Sequence, residues 1–253
     1  MTEPLRYRHH PADPEQPTIV LIPGLFSGSF IWSLCEPGYV EAGFGVLVFE
    51  DALGQAPKDV ASVDHIAREI DVISRSLAPG KRILAGNSIG AQVALEIASH
   101  NAPGVDQLLL SGCPGIGTEA TYDLGIKKQR SITESHAHDV AHMLFTSLDN
   151  IPESEIMASF RLVTDRRNAS TIIRFIQDAR HLDVQQKIRE TDADVLLLWG
   201  DNDNITPLSQ SEAVEAGIAA DHLVMFEHCG HCPMLEQPER FLAMSLDFIN
   251  QYA

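Results

Sequence analysis

A chain of 253 residues can form one large domain, or one domain carrying an insertion. Its 18 Lys+Arg against 35 Asp+Glu give a formal charge of −17, which repels phosphate backbones and anionic lipid and argues against nucleic-acid and membrane-surface partners. Four cysteines (Cys35, Cys113, Cys229, Cys232) make no disulfide framework, no run approaches the ~20 apolar residues of a membrane span, and the start lacks the apolar core of a signal peptide. A reducing cytoplasm is therefore the expected compartment.

In chain order, the first predicted strand is "TIVLIP" (18–23), followed by the glycine-containing stretch "GLFSGSFIW". "GVLVFE" (45–50) is the second strand. Val63, Ile66, Ile70, Ile73 and Leu77 then recur at the three- and four-residue spacing of an amphipathic helix. "KRILAG" (81–86) runs straight into the helical pattern "AQVALEIA", and "DQLLLSG" (106–112) follows. From 114 to 190 there is no convincing strand, only helical patterns such as Ala137/Val140/Ala141/Leu144 and Ile172/Phe175/Ile176/Ala179. "DVLLLWG" (194–200) and "HLVMFE" (222–227) complete the strands, and Pro238 opens a closing helix bearing Phe241, Leu242, Leu246 and Ile249.

The strands are short and apolar throughout, as strands buried on both faces of a parallel sheet are. Alternation with helices predicts an α/β fold, a mostly parallel, doubly wound sheet. Residues 1–113 and 191–253 are expected to form its core, with 114–190 inserted as a helical cap over the carboxyl edge, where ligands bind in such sheets.

Three stretches carry chemistry. Gly86-Asn87-Ser88-Ile89-Gly90 falls at a strand-to-helix junction. A G-x-S-x-G there exposes the serine on a sharp turn, and the flanking glycines relieve crowding. "WGDNDNITP" places Gly200, Asp203 and Pro207 directly after a strand, with Asp201 as a rival acid closer to the strand end. "CGHCPMLEQPERF" places His231 after the last strand, ahead of Pro233, Glu236 and Pro238.

Together these motifs resemble the α/β-hydrolase superfamily, in serine–acid–histidine order. The resemblance runs from about residue 18 to 251 and fades in the cap. It implies Ser88 as nucleophile, Asp203 as the acid and His231 as the base. It also implies an oxyanion hole from the backbone N–H groups of Leu25 and Ile89, although Pro23 stands where the family usually carries a histidine. Such a site needs neither a metal nor an organic cofactor. Phe26, Asn87 and Arg161 are candidate substrate contacts. The expected partner is a small-molecule substrate, with a homodimer as the candidate assembly.

Other patterns compete. Cys229-Gly230-His231-Cys232 has the spacing of a redox dithiol or half a zinc site. A thioredoxin-like domain, however, carries that motif early, and only 21 residues follow Cys232; no second ligand pair has zinc spacing. His138-Asp139-Val140-Ala141-His142 resembles a zinc-protease helix, with an Asp one methylene too short for the base and no third ligand evident. Arg161, Arg166 and Arg167 fit either a substrate carboxylate or plain solvation.

Three functional classes remain open from sequence. One is hydrolysis of a carboxylic ester or thioester. A second is hydrolytic C–C cleavage of a vinylogous diketone, as in meta-cleavage product hydrolases, which Asn87, Cys229-Gly230-His231 and the cap arginines resemble. In that family tryptophan often stands where Cys232 does. The third is a lyase or ligand receptor on the same fold.

Overall fold

The computed structural model describes residues 5–50, 53–56, 58–100, 102–117, 141–149, 151–219 and 222–252. Among them seven strands form one sheet: β1 (Tyr7–His10), β2 (Thr18–Ile22), β3 (Gly45–Phe49), β4 (Arg82–Asn87), β5 (Val105–Ser111), β6 (Asp194–Gly200) and β7 (Leu223–Phe226). Their order is β1-β3-β2-β4-β5-β6-β7, parallel at every pairing except β1 with β3. The six apolar runs read from sequence all become strands. β1 is the addition: "YRHH" has no apolar alternation, and this edge strand is half-buried at Arg8 and His9 and exposed at Tyr7 and His10. Its Arg8 is held by Glu36 at 2.7 Å and Glu50 at 3.0 Å.

Alternate strand residues feed two separate cores, as the two-residue period of a pleated sheet requires. Val20, Leu47, Leu84, Leu108 and Leu197 pack with α2 (Val63–Leu77) and α3 (Ile89–Ser99) on one face. Ile19, Val46, Ile83, Leu109 and Leu196 face the other way, toward α1 (Glu36–Glu41) and the last helix, α9 (Pro238–Gln251). Each fully buried Leu, Ile or Phe contributes about 1.5–3 kcal/mol. α2 starts at Ser62, whose hydroxyl accepts the His65 N–H, and its five predicted apolar positions face the first core. α3 is buried along most of its length, so its sequence shows continuous hydrophobicity instead of a stripe.

In the segment 114–190 the described residues hold α4 (Glu153–Thr164), α5 (Arg166–Ala179) and α6 (Val184–Glu190), with residues 141–144 also helical. Ile172, Phe175 and Ala179 of α5 and Val184 and Ile188 of α6 join the first core. The Asp178 carboxylate accepts the Val63 N–H at 2.7 Å, which satisfies a donor at the start of α2 and ties α5 to the sheet layer. α7 (Gln210–Glu215) follows β6, and α8 (Pro233–Glu236) precedes α9. No helix of the described residues is long and apolar enough to cross a membrane.

The carboxyl ends of β4, β5, β6 and β7 are Asn87, Ser111, Gly200 and Phe226. The three chemical stretches leave the sheet along this one edge.

Candidate active site

Ser88 occupies the single step between β4 and α3, with φ 56° and ψ −129°. For a residue with a Cβ this is a strained conformation, of a kind that costs on the order of 1–3 kcal/mol. Its N–H donates to the Ser111 carbonyl at 2.8 Å, anchoring the turn to β5. The flanking glycines are sterically required. A Cβ on Gly86 would lie 2.5 Å from Ala91 Cα, and one on Gly90 would strike the Pro23 carbonyl and lie 2.6 Å from that of Ile22. Gly24 packs against the turn from the other side less tightly, since a Cβ there would lie 3.1 Å from Ser88 Cβ.

His231 and Asp203 form the second half of the site. Both are buried, with His231 Nδ1 2.8 Å from Asp203 Oδ2. The carboxylate is fully engaged: Oδ1 accepts the N–H groups of Ile205 and Thr206, each at 2.9 Å, and Oδ2 also accepts the Thr206 hydroxyl at 2.8 Å. Burial works against ionisation of Asp203, but the charge and hydrogen bond of His231 and the two Thr206 bonds outweigh it and hold the carboxyl below its usual value. Gly112, at φ 57°, lets the imidazole come close, because a Cβ there would lie 2.5 Å from His231 Cε1. Asp201 is exposed and instead accepts the Cys229 N–H at 3.2 Å.

One pocket of about 650 Å³, including its open mouth, joins the two halves. Ser88, His231, Leu25, Ile89, Phe26 and Asn87 all line it, and its remaining wall is mainly apolar: Phe30, Pro114, Leu144, Phe145, Ile176 and Ile205. Ile89 is the first residue of α3, where a backbone N–H lacks an intrahelical partner. Asn87, read as a substrate contact, spends its amide on the protein: Nδ2 donates to the His231 carbonyl at 3.0 Å. Arg161 is not brought to the pocket; it is exposed. On α4 the inward positions are Ile156, Ser159 and Leu162, and Arg161 lies about 200° around the helix from Ser159. The side chains of Arg166 and Arg167 lie outside the described residues, as does His138 of the zinc-like pair.

The four cysteines are unpaired and buried. Burial, aided by Glu236 nearby, pushes the Cys229 and Cys232 thiols up, which disfavours thiolate chemistry at neutral pH. Thr206 and Gly112 escaped sequence reading. Thr206 lies inside the quoted acid motif, but nothing in a lone threonine marks its bond to a carboxylate three residues earlier.

A model of the α/β hydrolase family matches residues 19–244, and the chain belongs to that family, an enzyme family of hydrolases. It is 24% identical over 230 residues to a 2-hydroxy-6-oxo-6-phenylhexa-2,4-dienoate hydrolase of Comamonas testosteroni, spanning 84% of this chain and 79% of that one. It is 26% identical over 204 residues to a pimeloyl-[acyl-carrier protein] methyl ester esterase of Nitrosomonas europaea, spanning 76% and 81%. Among solved structures, a bacterial membrane phospholipase A superposes with a TM-score of 0.83 at 21% identity, over 100% of this chain and 86% of that one. A serine hydrolase of carbazole degradation does so at 0.77 and 22%, over 98% and 95%. At these identities the structures establish the fold alone.

Proposed function

We propose that the protein hydrolyses a carboxylic ester (or thioester) of an uncharged, largely apolar small molecule through a Ser88–His231–Asp203 triad. The observation that carries this is one pocket lined by both Ser88 and His231, with Asp203 2.8 Å behind the imidazole. His231 Nε2 takes the proton as Ser88 Oγ attacks the carbonyl carbon. Asp203 keeps the ring's other proton on Nδ1 and offsets the imidazolium charge. The N–H groups of Leu25 and Ile89 stabilise the oxyanion. Collapse expels the alcohol, which receives the proton from His231. Water then attacks the acyl-enzyme by the same route, releasing acid and free Ser88. The apolar wall favours an uncharged acyl group, and a protein charge of −17 disfavours an anionic substrate.

The likeness to the Comamonas testosteroni dienoate hydrolase supports a second reading, hydrolytic C–C cleavage. Against it, no Arg or Lys is among the described lining residues to meet a substrate carboxylate. Assaying p-nitrophenyl butyrate beside 2-hydroxy-6-oxo-6-phenylhexa-2,4-dienoate separates the two. The ester reading expects kcat/KM to be greater for the ester; a dienoate preferred by tenfold or more would replace it with the C–C reading.

A further inference from the structure

Glu236 belongs to the histidine motif but takes no part in the chemistry above. It is the last residue of α8, and its carboxylate faces two chain segments. Oε1 accepts the Gly230 N–H at 2.9 Å; Oε2 accepts the N–H groups of Thr146 at 2.7 Å and Ser147 at 3.4 Å. The same segments are also joined directly, the Leu144 carbonyl accepting the His231 N–H at 2.8 Å. Gly230 gives an independent sign that this approach is built in. A Cβ there would lie 2.8 Å from the Leu144 carbonyl oxygen and 3.0 Å from both Thr146 N and Glu236 Oε1.

Both joined segments bear on the pocket. Leu144 and Phe145 form part of its wall, and His231 projects into it. Hydrogen bonds to an ionised acceptor are roughly twice as strong as neutral ones. One carboxylate holding three backbone donors is therefore a firm joint between a pocket wall and the base. We propose that Glu236 is a positioning residue that sets His231 and the Leu144–Phe145 wall as one unit, so that proton transfer from Ser88 depends on it. This rests on the reading of Ser88 and His231 as nucleophile and base. A merely structural Glu236 would change the amount of folded protein and leave each folded molecule's chemistry intact.

The test compares wild type with Glu236→Gln and Glu236→Ala, and with Gly230→Ala, whose methyl crowds the Leu144 carbonyl, Thr146 N and Glu236 Oε1 while the carboxylate itself is retained. Each is measured for the fluorophosphonate labelling rate and for kcat and KM on p-nitrophenyl acetate, corrected for the folded fraction from a thermal melt. Labelling rate and kcat should fall in the order Glu, Gln, Ala. The loss at Ala should reach ~10²-fold, the scale expected for a catalytic group displaced by about 1 Å. KM for this short ester should change far less, and Gly230→Ala should behave like the Ala variant. Should Glu236→Ala not fold, the Gln variant alone decides, because it keeps the shape and one acceptor oxygen. Folded Gln and Ala variants that label and turn over at the wild-type rate would overturn the role of Glu236. A wild type that fails to label would instead overturn the nucleophile reading on which it rests.

Discussion

Replacing Asp203 by Asn separates the acid from its surroundings with little change of shape. The carboxylate receives four contacts: two backbone N–H groups at Oδ1, and the Thr206 hydroxyl and His231 Nδ1 at Oδ2. An Asn that keeps its oxygen toward the two backbone donors must turn its NH₂ toward Thr206 and His231. His231 Nδ1, now facing a donor, has to accept, which moves the ring proton to Nε2, the atom that should receive the Ser88 proton. A wrong tautomer and the loss of charge compensation cost on the order of 10⁴ in kcat, equivalent to about 5.4 kcal/mol. Asp201→Asn is the matched control. Its carboxylate accepts the Cys229 N–H at 3.2 Å, a bond an amide oxygen can still accept, so its loss should stay below about tenfold. Steady-state kinetics on a p-nitrophenyl ester, with circular dichroism to confirm folding, read both. Equal or greater loss in Asp201→Asn would refute the assignment.

Three further outcomes follow from the geometry. Cys229→Ala combined with Cys232→Ala should retain most ester turnover while His231→Ala loses it; an inactive but folded double variant with dithiol-dependent reductase activity or stoichiometric zinc would mean the cysteines are the working groups. Gly90→Ala should lower Tm or abolish soluble expression, since its methyl meets the carbonyls of Ile22 and Pro23; a wild-type melt would contradict the close packing of α3 on β2. For Glu236, burial raises the carboxyl pKa despite the backbone hydrogen bonds, from Thr146 and Gly230 above all, that lower it. A raised folded-state pKa means a contribution fully present below the ordinary value of 4.5 and lost as pH rises. The Tm of wild type relative to Glu236→Gln should therefore decline from pH 4 to pH 7, and a rising difference would reverse the sign.

The fold was legible where burial was two-sided. β2 to β6 carry continuous apolar runs because helices cover both faces, so a run of three to five residues is signal enough. β1 was invisible for the opposite reason: Tyr7–His10 lies at an edge, and its place is fixed by pairing with β3 and by Arg8 to Glu36 and Glu50. At the site, Gly86 and Gly90 stand out because a sharp turn and close backbone approach restrict the residue type, whereas Asp203 and His231 are implied by the resemblance of their motifs to the α/β-hydrolase superfamily. Thr206 and Glu236 act through hydrogen bonds to partners fixed only by the folded chain, and many polar residues could occupy such positions. Arg161 stays open in sequence between a substrate carboxylate and solvation, because a charge on a helix has no direction until the helix's inward face is known; the structure leaves it exposed. Asn87, a candidate substrate contact, lines the pocket, and its amide also braces the His231 loop, a bond that sequence cannot show.

Covalent capture reads the proposed nucleophilic role of Ser88. The folded wild-type protein is treated with a fluorophosphonate, weighed intact and digested for peptide mapping. One adduct per chain is expected, on the peptide containing Ser88, with none in Ser88→Ala. An Ser88→Ala protein that still takes up the probe, with the modified peptide mapping elsewhere, would contradict the account.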